Sequence, residues 1–155
     1  MTINAEVFIR RNKLRRQFET EFYKINKGIK DACNSQGIEW FHIKYSQHLV
    51  DRAIQREIDE GYVFSLLEKL KSHVVEVVQF LDMPERPDID EDFVDGIEYR
   101  PGRLEVTDGN LWLGLTVSKP DLTGRFTNKS LQCRMAIINN KRHAGKNSKQ
   151  VIKID

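Results

Sequence analysis

The chain has 155 residues, 39% hydrophobic and 31% charged, with a formal net charge of +2. That length is enough for one domain with a sizeable core, and the balance excludes a disordered chain. No apolar run approaches the ~18 residues of a membrane span. The opening Met1 to Glu6 lacks the basic-then-apolar plan of a signal peptide, so a cytoplasmic protein with no membrane partner is expected.

Phe18, Phe22, Ile25, Ile29 and Ala32 step by four, three, four and three, which predicts a long amphipathic helix over roughly residues 4 to 33. Asn34, Ser35 and Gly37 supply its stop. Trp40 to Lys44 reads as a short strand or extended entry into a second helix near 47 to 58. Asp59-Glu60-Gly61 is a turn, with Asp59 a cap for a third helix near 61 to 72, where Val63, Leu66, Leu67 and Leu70 make the buried stripe. Val74 to Phe80 is β-branched and reads as a strand, with continuation of the helix as the alternative. Residues 81 to 95, with Pro84, Pro87 and an acidic run, read as a surface loop. Strands follow at Ile97–Arg100, Leu104–Thr107 and Leu111–Val117, joined by Pro101-Gly102 and by the hairpin signal Asp108-Gly109. A loop with Pro120 and Gly124 leads to a strand at Cys133–Ile138, the polar stretch 139 to 150 reads as a second loop or a mobile arm, and Val151–Ile154 is a candidate to close the sheet. Helices first and hairpins second predict an α+β fold, with N-terminal helices packed on one face of an antiparallel sheet and no second domain.

Charge is unevenly spread. Arg10, Arg11, Lys13, Arg15 and Arg16 form one basic cluster and Lys141, Arg142, Lys146, Lys149 and Lys153 another, around an acidic middle at 82 to 95. That polarity modestly favours a polyanionic partner. The acidic run has no metal-ligand spacing and reads as a solvated loop. Cys33 and Cys133 lie far apart, which suits reduced thiols and gives too few ligands for zinc.

The chemically suggestive segment is Tyr45 to Arg56. Ser46 is a good helix cap, so His48 falls in the first turn, and Arg52 and Arg56 recur at i+4 and i+8 on one stripe. An imidazole backed by two fixed cations suits a phosphodiester, since one group moves a proton while the others hold charge on phosphate oxygens. On local pattern alone a solvated helix face is the commoner outcome. For Arg52 the competing use is an ion pair or hydrogen bond with its neighbours Asp51, Gln55 or Glu57.

Long segments carry a family resemblance. They are Met1-Thr2-Ile3-Asn4, Glu6 to Arg16, Lys44-Tyr45-Ser46-Gln47-His48, Asp51 to Glu60, Tyr99 to Glu105, Thr107 to Gly114 and Leu131 to Asn139. Across nearly the whole chain they resemble the RegB family of sequence-specific phage endoribonucleases, itself similar in fold to toxin nucleases of the RelE and YoeB kind. The resemblance implies a single endoribonuclease domain over 1–155. It implies cleavage of early phage mRNA, single-stranded or hairpin, in GGAG-type translation-initiation motifs. No metal or cofactor is expected, and the products would be 2′,3′-cyclic phosphate and 5′-OH ends. It also implies stimulation by a host ribosomal protein and action as a monomer in the cytoplasm of the infected cell.

The family's first catalytic histidine falls on His48. Its second falls on the third helix where this chain has Glu68, a departure that leaves the second proton transfer to Glu68 or to His73, or leaves His48 to work with arginine and water alone. Arg52 is the candidate for transition-state charge. The RNA-binding set is Arg10, Arg11, Lys44, Arg56, Tyr99, Arg100 and Arg103, with Tyr99 or Trp112 able to stack a purine. Burial of Trp112 in a sheet face is an equal reading. His42 and His143 carry no supporting pattern. A non-catalytic RNA-binding regulator is the second reading. A DNA-binding helix-turn-helix is a distant third, because the supposed recognition helix offers Ser65, Glu68, Lys69 and Lys71 and no Arg, Asn or Gln to read bases.

Overall fold

The computed structural model describes residues 5–118, 129–139 and 149–154. Met1–Asn4, Pro120, Gly124, Lys141, Arg142, His143 and Lys146 lie outside the described residues. α1 (Ala5–Gln36) buries Leu14, Phe18, Phe22, Ile25, Ile29 and Cys33 along one stripe. It ends where Gly37 takes φ +69°, a left-handed conformation that a residue without Cβ enters at little cost.

β1 (His42–Tyr45) leads into α2 (Gln47–Ile54), whose first turn is closed by Leu49 N donating to Ser46 Oγ at 3.2 Å. α3 (Glu60–Glu68) is capped by Asp59, which accepts from the N–H groups of Gly61 and Tyr62. A tight 3-10 turn over Lys69–His73 joins α3 to α4 (Val74–Asp82). The strand expected at Val74 to Phe80 is therefore a helix. Val74, Val77, Phe80 and Leu81 are buried with helical spacing, so packing on one face overrides the β-branched composition.

Ile97 to Arg100 forms no strand either. Arg100 N donates to Pro84 O at 2.7 Å and its guanidinium to Leu81 O at 3.2 Å, tying the segment to the end of α4 instead of to a sheet. The acidic loop before it contains a short 3-10 turn at Asp90–Asp92.

β2 (Arg103–Thr107), β3 (Leu111–Val117) and β4 (Ser130–Ile138) form an antiparallel meander, with Gly109 at φ +100° in the turn between β2 and β3. β5 (Lys149–Lys153) pairs parallel to β2, and β1 pairs parallel to β4, giving the order β1-β4-β3-β2-β5. The sheet is thus mixed and not wholly antiparallel. Both outer strands join their neighbours through long connections, and only a hairpin forces the antiparallel direction.

One hydrophobic cluster joins the helices to Leu104, Val106, Leu111, Leu113, Leu115, Leu131, Cys133, Ala136 and Ile152 on one face of the sheet. The alternate positions Glu105, Thr107, Trp112 and Lys149 face the other way and are also buried.

Candidate active site

α2 is fixed by Leu49, Val50 and Ala53 in the core, which leaves His48 exposed in the first turn. Among the described residues the His48 side chain makes no hydrogen bond or ion pair. β1 covers β4 only as far as Cys133, and beyond that point α2 lies along the strand. Ser46 N donates to Cys133 O at 3.1 Å, and Arg52 Nη1 donates to Ala136 O at 2.5 Å. Arg52 Nε also meets Glu57 Oε2 at 3.3 Å, so the ion pair weighed against a catalytic role is present. Guanidinium carries five N–H donors, and these contacts leave others for a substrate oxygen.

Arg56 does not continue the stripe of His48 and Arg52. α2 ends at Ile54, and Arg56 adopts φ 60° in the turn that follows, with its N–H bonded to Ala53 O. Arg10 explains how that end is closed. Its guanidinium donates to Ala53 O at 2.9 Å and to Ile54 O at 3.3 Å and lies 3.9 Å from Glu60 Oε2. A cation on the last carbonyls of a helix complements its dipole. Arg10 thus joins the starts of α1 and α3 to the end of α2, a long-range role that its local basic cluster does not disclose.

Glu68 is 45% exposed and pairs with Lys71 at 3.3 Å. It borders a hollow of about 440 Å³ lined on α1 by Gln17, Glu21 and Lys24 and on α3 by Gly61, Phe64 and Ser65. His73, at the junction before α4, places Nδ1 at 2.8 Å from Glu76 Oε1. Neither is joined to His48 by a hydrogen bond or ion pair among the described residues, and His48 does not line the hollow beside Glu68.

Of the expected RNA contacts, Arg11 and Lys44 are exposed. Tyr99 accepts a hydrogen bond from Val94 N and packs edge-on against Phe93, and Arg100 is tied to the end of α4 as described above. Arg103 Nε lies 2.7 Å from Glu105 Oε2 as an ion pair, although off the line of a hydrogen bond. Trp112 is buried and donates Nε1–H to Asn139 O at 2.9 Å, so the packing alternative is the one observed.

Two arrangements had no sequence signal. Glu105, already beside Arg103, also meets Lys149 Nζ at 3.1 Å, with both of these side chains almost wholly buried. Tyr62 on α3 donates its hydroxyl to Asp108 in the β2–β3 turn. Hydrogen bonding to Asp108 is the main cause that raises the Tyr62 pKa. Burial pushes the Asp108 carboxyl up, but hydrogen bonds from Tyr62 and from the Asn110 and Leu111 N–H groups outweigh it, and the pKa lies below the usual value. Burial also drives the Cys133 thiol up to about 12, which leaves it unreactive.

Helices on one face of a five-stranded mixed sheet place the protein in the α+β class. A family model described as T4-page Endoribonuclease RegB matches residues 3–153. Endoribonuclease RegB of Enterobacteria phage T4 is 69% identical over 153 residues, covering 99% of each chain. The solution structure of the phage T4 endoribonuclease RegB superposes with a TM-score of 0.66 at 68% identity, again over 99% of both chains. The chain belongs to the RegB endoribonuclease family.

Proposed function

We propose that this protein is a sequence-specific, metal-independent endoribonuclease comprising one domain, 1–155. Its substrates are early phage mRNAs, single-stranded or hairpin, cut within GGAG-type translation-initiation motifs. The ribose 2′-OH attacks the adjacent phosphorus, the P–O5′ bond breaks, and the products carry a 2′,3′-cyclic phosphate and a 5′-OH. The observation that carries the reading is full-length membership of the family together with an accessible His48 one helical turn from Arg52.

In this reaction His48 removes the 2′-OH proton, and Arg52 holds negative charge on the non-bridging oxygens. The leaving 5′-oxygen needs a proton donor, and Glu68 is the first candidate because it occupies the position of the family's second histidine. His73 is the rival, with Glu76 orienting its ring. Lys44, Arg11 and Arg56 are solvent-facing cations for phosphates. The protein works as a monomer in the infected host's cytoplasm, stimulated by a host ribosomal protein.

Incubation of the protein with a GGAG-containing leader RNA tests this reading. Cleavage is expected to persist in excess EDTA, and the 5′ fragment should end in a cyclic phosphate. A 5′-phosphate product, or activity lost to chelator and restored by magnesium, would refute the mechanism. Binding without cleavage would point to a regulator. Glu68→Gln is expected to slow cleavage by at least ~10²-fold. An inactive but folded His73→Ala beside an active Glu68→Gln would move the acid role to His73.

A further inference from the structure

Between the second half of α1 and β1 runs an open groove, of which the roles above use Lys44 alone. One part, of about 370 Å³, is lined by Tyr23, Lys27, Lys30, Trp40 and His42, and it continues into a hollow of about 430 Å³ beside Lys44. Tyr23 is 72% exposed, which is unusually open for so large an aromatic side chain. Trp40 and His42 stand with ring centroids 5.9 Å apart, and Lys30 Nζ rests 5.0 Å over the indole. Burial and the neighbouring Lys44 lower the His42 pKa, so the ring presents a neutral aromatic face at neutral pH.

The groove follows an edge strand, and an edge strand commonly invites a peptide to add to the sheet. Here that mode is blocked. Ile43 N donates to Asn26 Oδ1 at 2.7 Å, and Asn26 Nδ2 donates to Ile43 O at 2.9 Å, so α1 has already taken the central backbone pair of the outward edge. The groove therefore offers side chains: five aromatic rings, of which Tyr23, Trp40 and His42 line the part nearer Lys30, and three lysines, against the carboxylates of Glu19 and Asp31. Aromatic faces interleaved with cations fit the bases and phosphates of an unpaired strand. The groove is also close to the proposed chemistry along the chain. His42 is six residues before His48, which at ~3.3 Å per residue is at most about 20 Å along the chain.

We infer that the α1–β1 groove is a second RNA subsite, in which Tyr23 and Trp40 stack unpaired bases flanking the cleaved motif while Lys27, Lys30 and Lys44 hold their phosphates. The inference rests on the endoribonuclease reading. On binding, Lys30 exchanges the indole face for a phosphate, and its long exposed side chain makes that change easy.

Trp40 reports on its own groove once the other of the chain's two tryptophans is replaced in Trp112→Phe. A fully 2′-O-methylated RNA carrying the purine motif with unpaired flanks cannot undergo 2′-OH attack and serves as the binding probe. It is expected to quench Trp40 saturably, and Tyr23→Ala should weaken its binding roughly five- to hundredfold. With cleavable RNA, Tyr23→Ala should lower the kcat/KM ratio of the flanked substrate over one trimmed to the motif by a similar factor, acting through KM. Unchanged Trp40 emission at saturating RNA, or an equal loss on both substrates, would overturn the subsite. Tyr23 is exposed, so this variant stays folded even where Trp40→Ala does not. If the wild type cuts neither substrate, the endoribonuclease reading fails, whereas the quenching still judges the groove. If it cuts both and Tyr23→Ala matches wild type, the groove alone fails.

Discussion

Arg52 donates from Nη1 to the carbonyl oxygen of Ala136, a residue 84 positions further along the chain. The contact seals the edge of β4 where β1 has run out, so the guanidinium proposed to hold phosphate charge also holds α2 against the sheet. His48, one turn earlier, has no such tie among the described residues.

These two side chains should therefore separate when mutated. His48→Ala is expected to lower the cleavage rate by about 10²–10⁴ and to leave thermal stability unchanged. Arg52→Ala should lower the rate and also cost about 1–3 kcal/mol, because an acceptor in a partly buried setting loses a charged donor. In a protein of this size that is a fall of roughly 2–10 °C in Tm. Thermal melts beside cleavage assays decide the matter. A His48→Ala protein that melts as low as Arg52→Ala would mean that His48 packs and does not catalyse.

The link between Tyr62 and Asp108 makes stability depend on pH at both ends of the range. The Asp108 carboxyl is depressed in the folded protein, so its contribution is present above its ordinary pKa of 3.8 and fades as pH falls through the lower folded value. The Tyr62 hydroxyl is raised above its ordinary 10.0, so its contribution is present below 10.0 and is lost as pH climbs through the folded value. Tyr62→Phe should cost about 1 kcal/mol at neutral pH. Urea unfolding across the pH range should show the gap from wild type closing at both extremes. A gap that stays constant with pH would remove Asp108 as the partner that matters.

What was legible in the sequence was local. Ser46 and Asp59 announce their helices because a cap needs only its own next three residues. The stripe from Phe18 to Ile29 announces α1 because burial on one side repeats with the helical period. Asp108-Gly109 announces a hairpin by its turn chemistry. His48 in a first turn could be placed for the same reason. Long-range relationships stayed hidden. Arg10 reads as one of five cations in a basic cluster, yet its partners are carbonyls more than 40 residues away. Arg56 fits an i+8 stripe only while the helix continues, and the chain turns at Gln55. Val74 to Phe80 has the composition of a strand and the burial of a helix, and only its neighbours decide between them.

The buried Glu105 and Lys149 offer the sharpest test of the sheet's second face. Each side chain is at most 1% exposed, their charged atoms are 3.1 Å apart, and Lys149 Nζ also lies 5.1 Å over the Trp112 ring. Removing one member of such a pair typically costs about 3–5 kcal/mol, because the other charge stays buried without compensation. Here the two single replacements should not cost the same. After Lys149→Met, the Glu105 carboxylate still faces Arg103 at 2.7 Å, so a cation remains beside it. After Glu105→Gln, Lys149 has, among the described residues, a neutral amide oxygen and the π face of Trp112, which are worth far less than a carboxylate in a desolvated site. Glu105→Gln is therefore expected to be the more damaging change, and the double variant should recover part of the loss. Denaturant unfolding of the two single variants and the double variant gives the coupling directly. Equal single losses that simply add in the double variant would show that the two charges do not depend on each other.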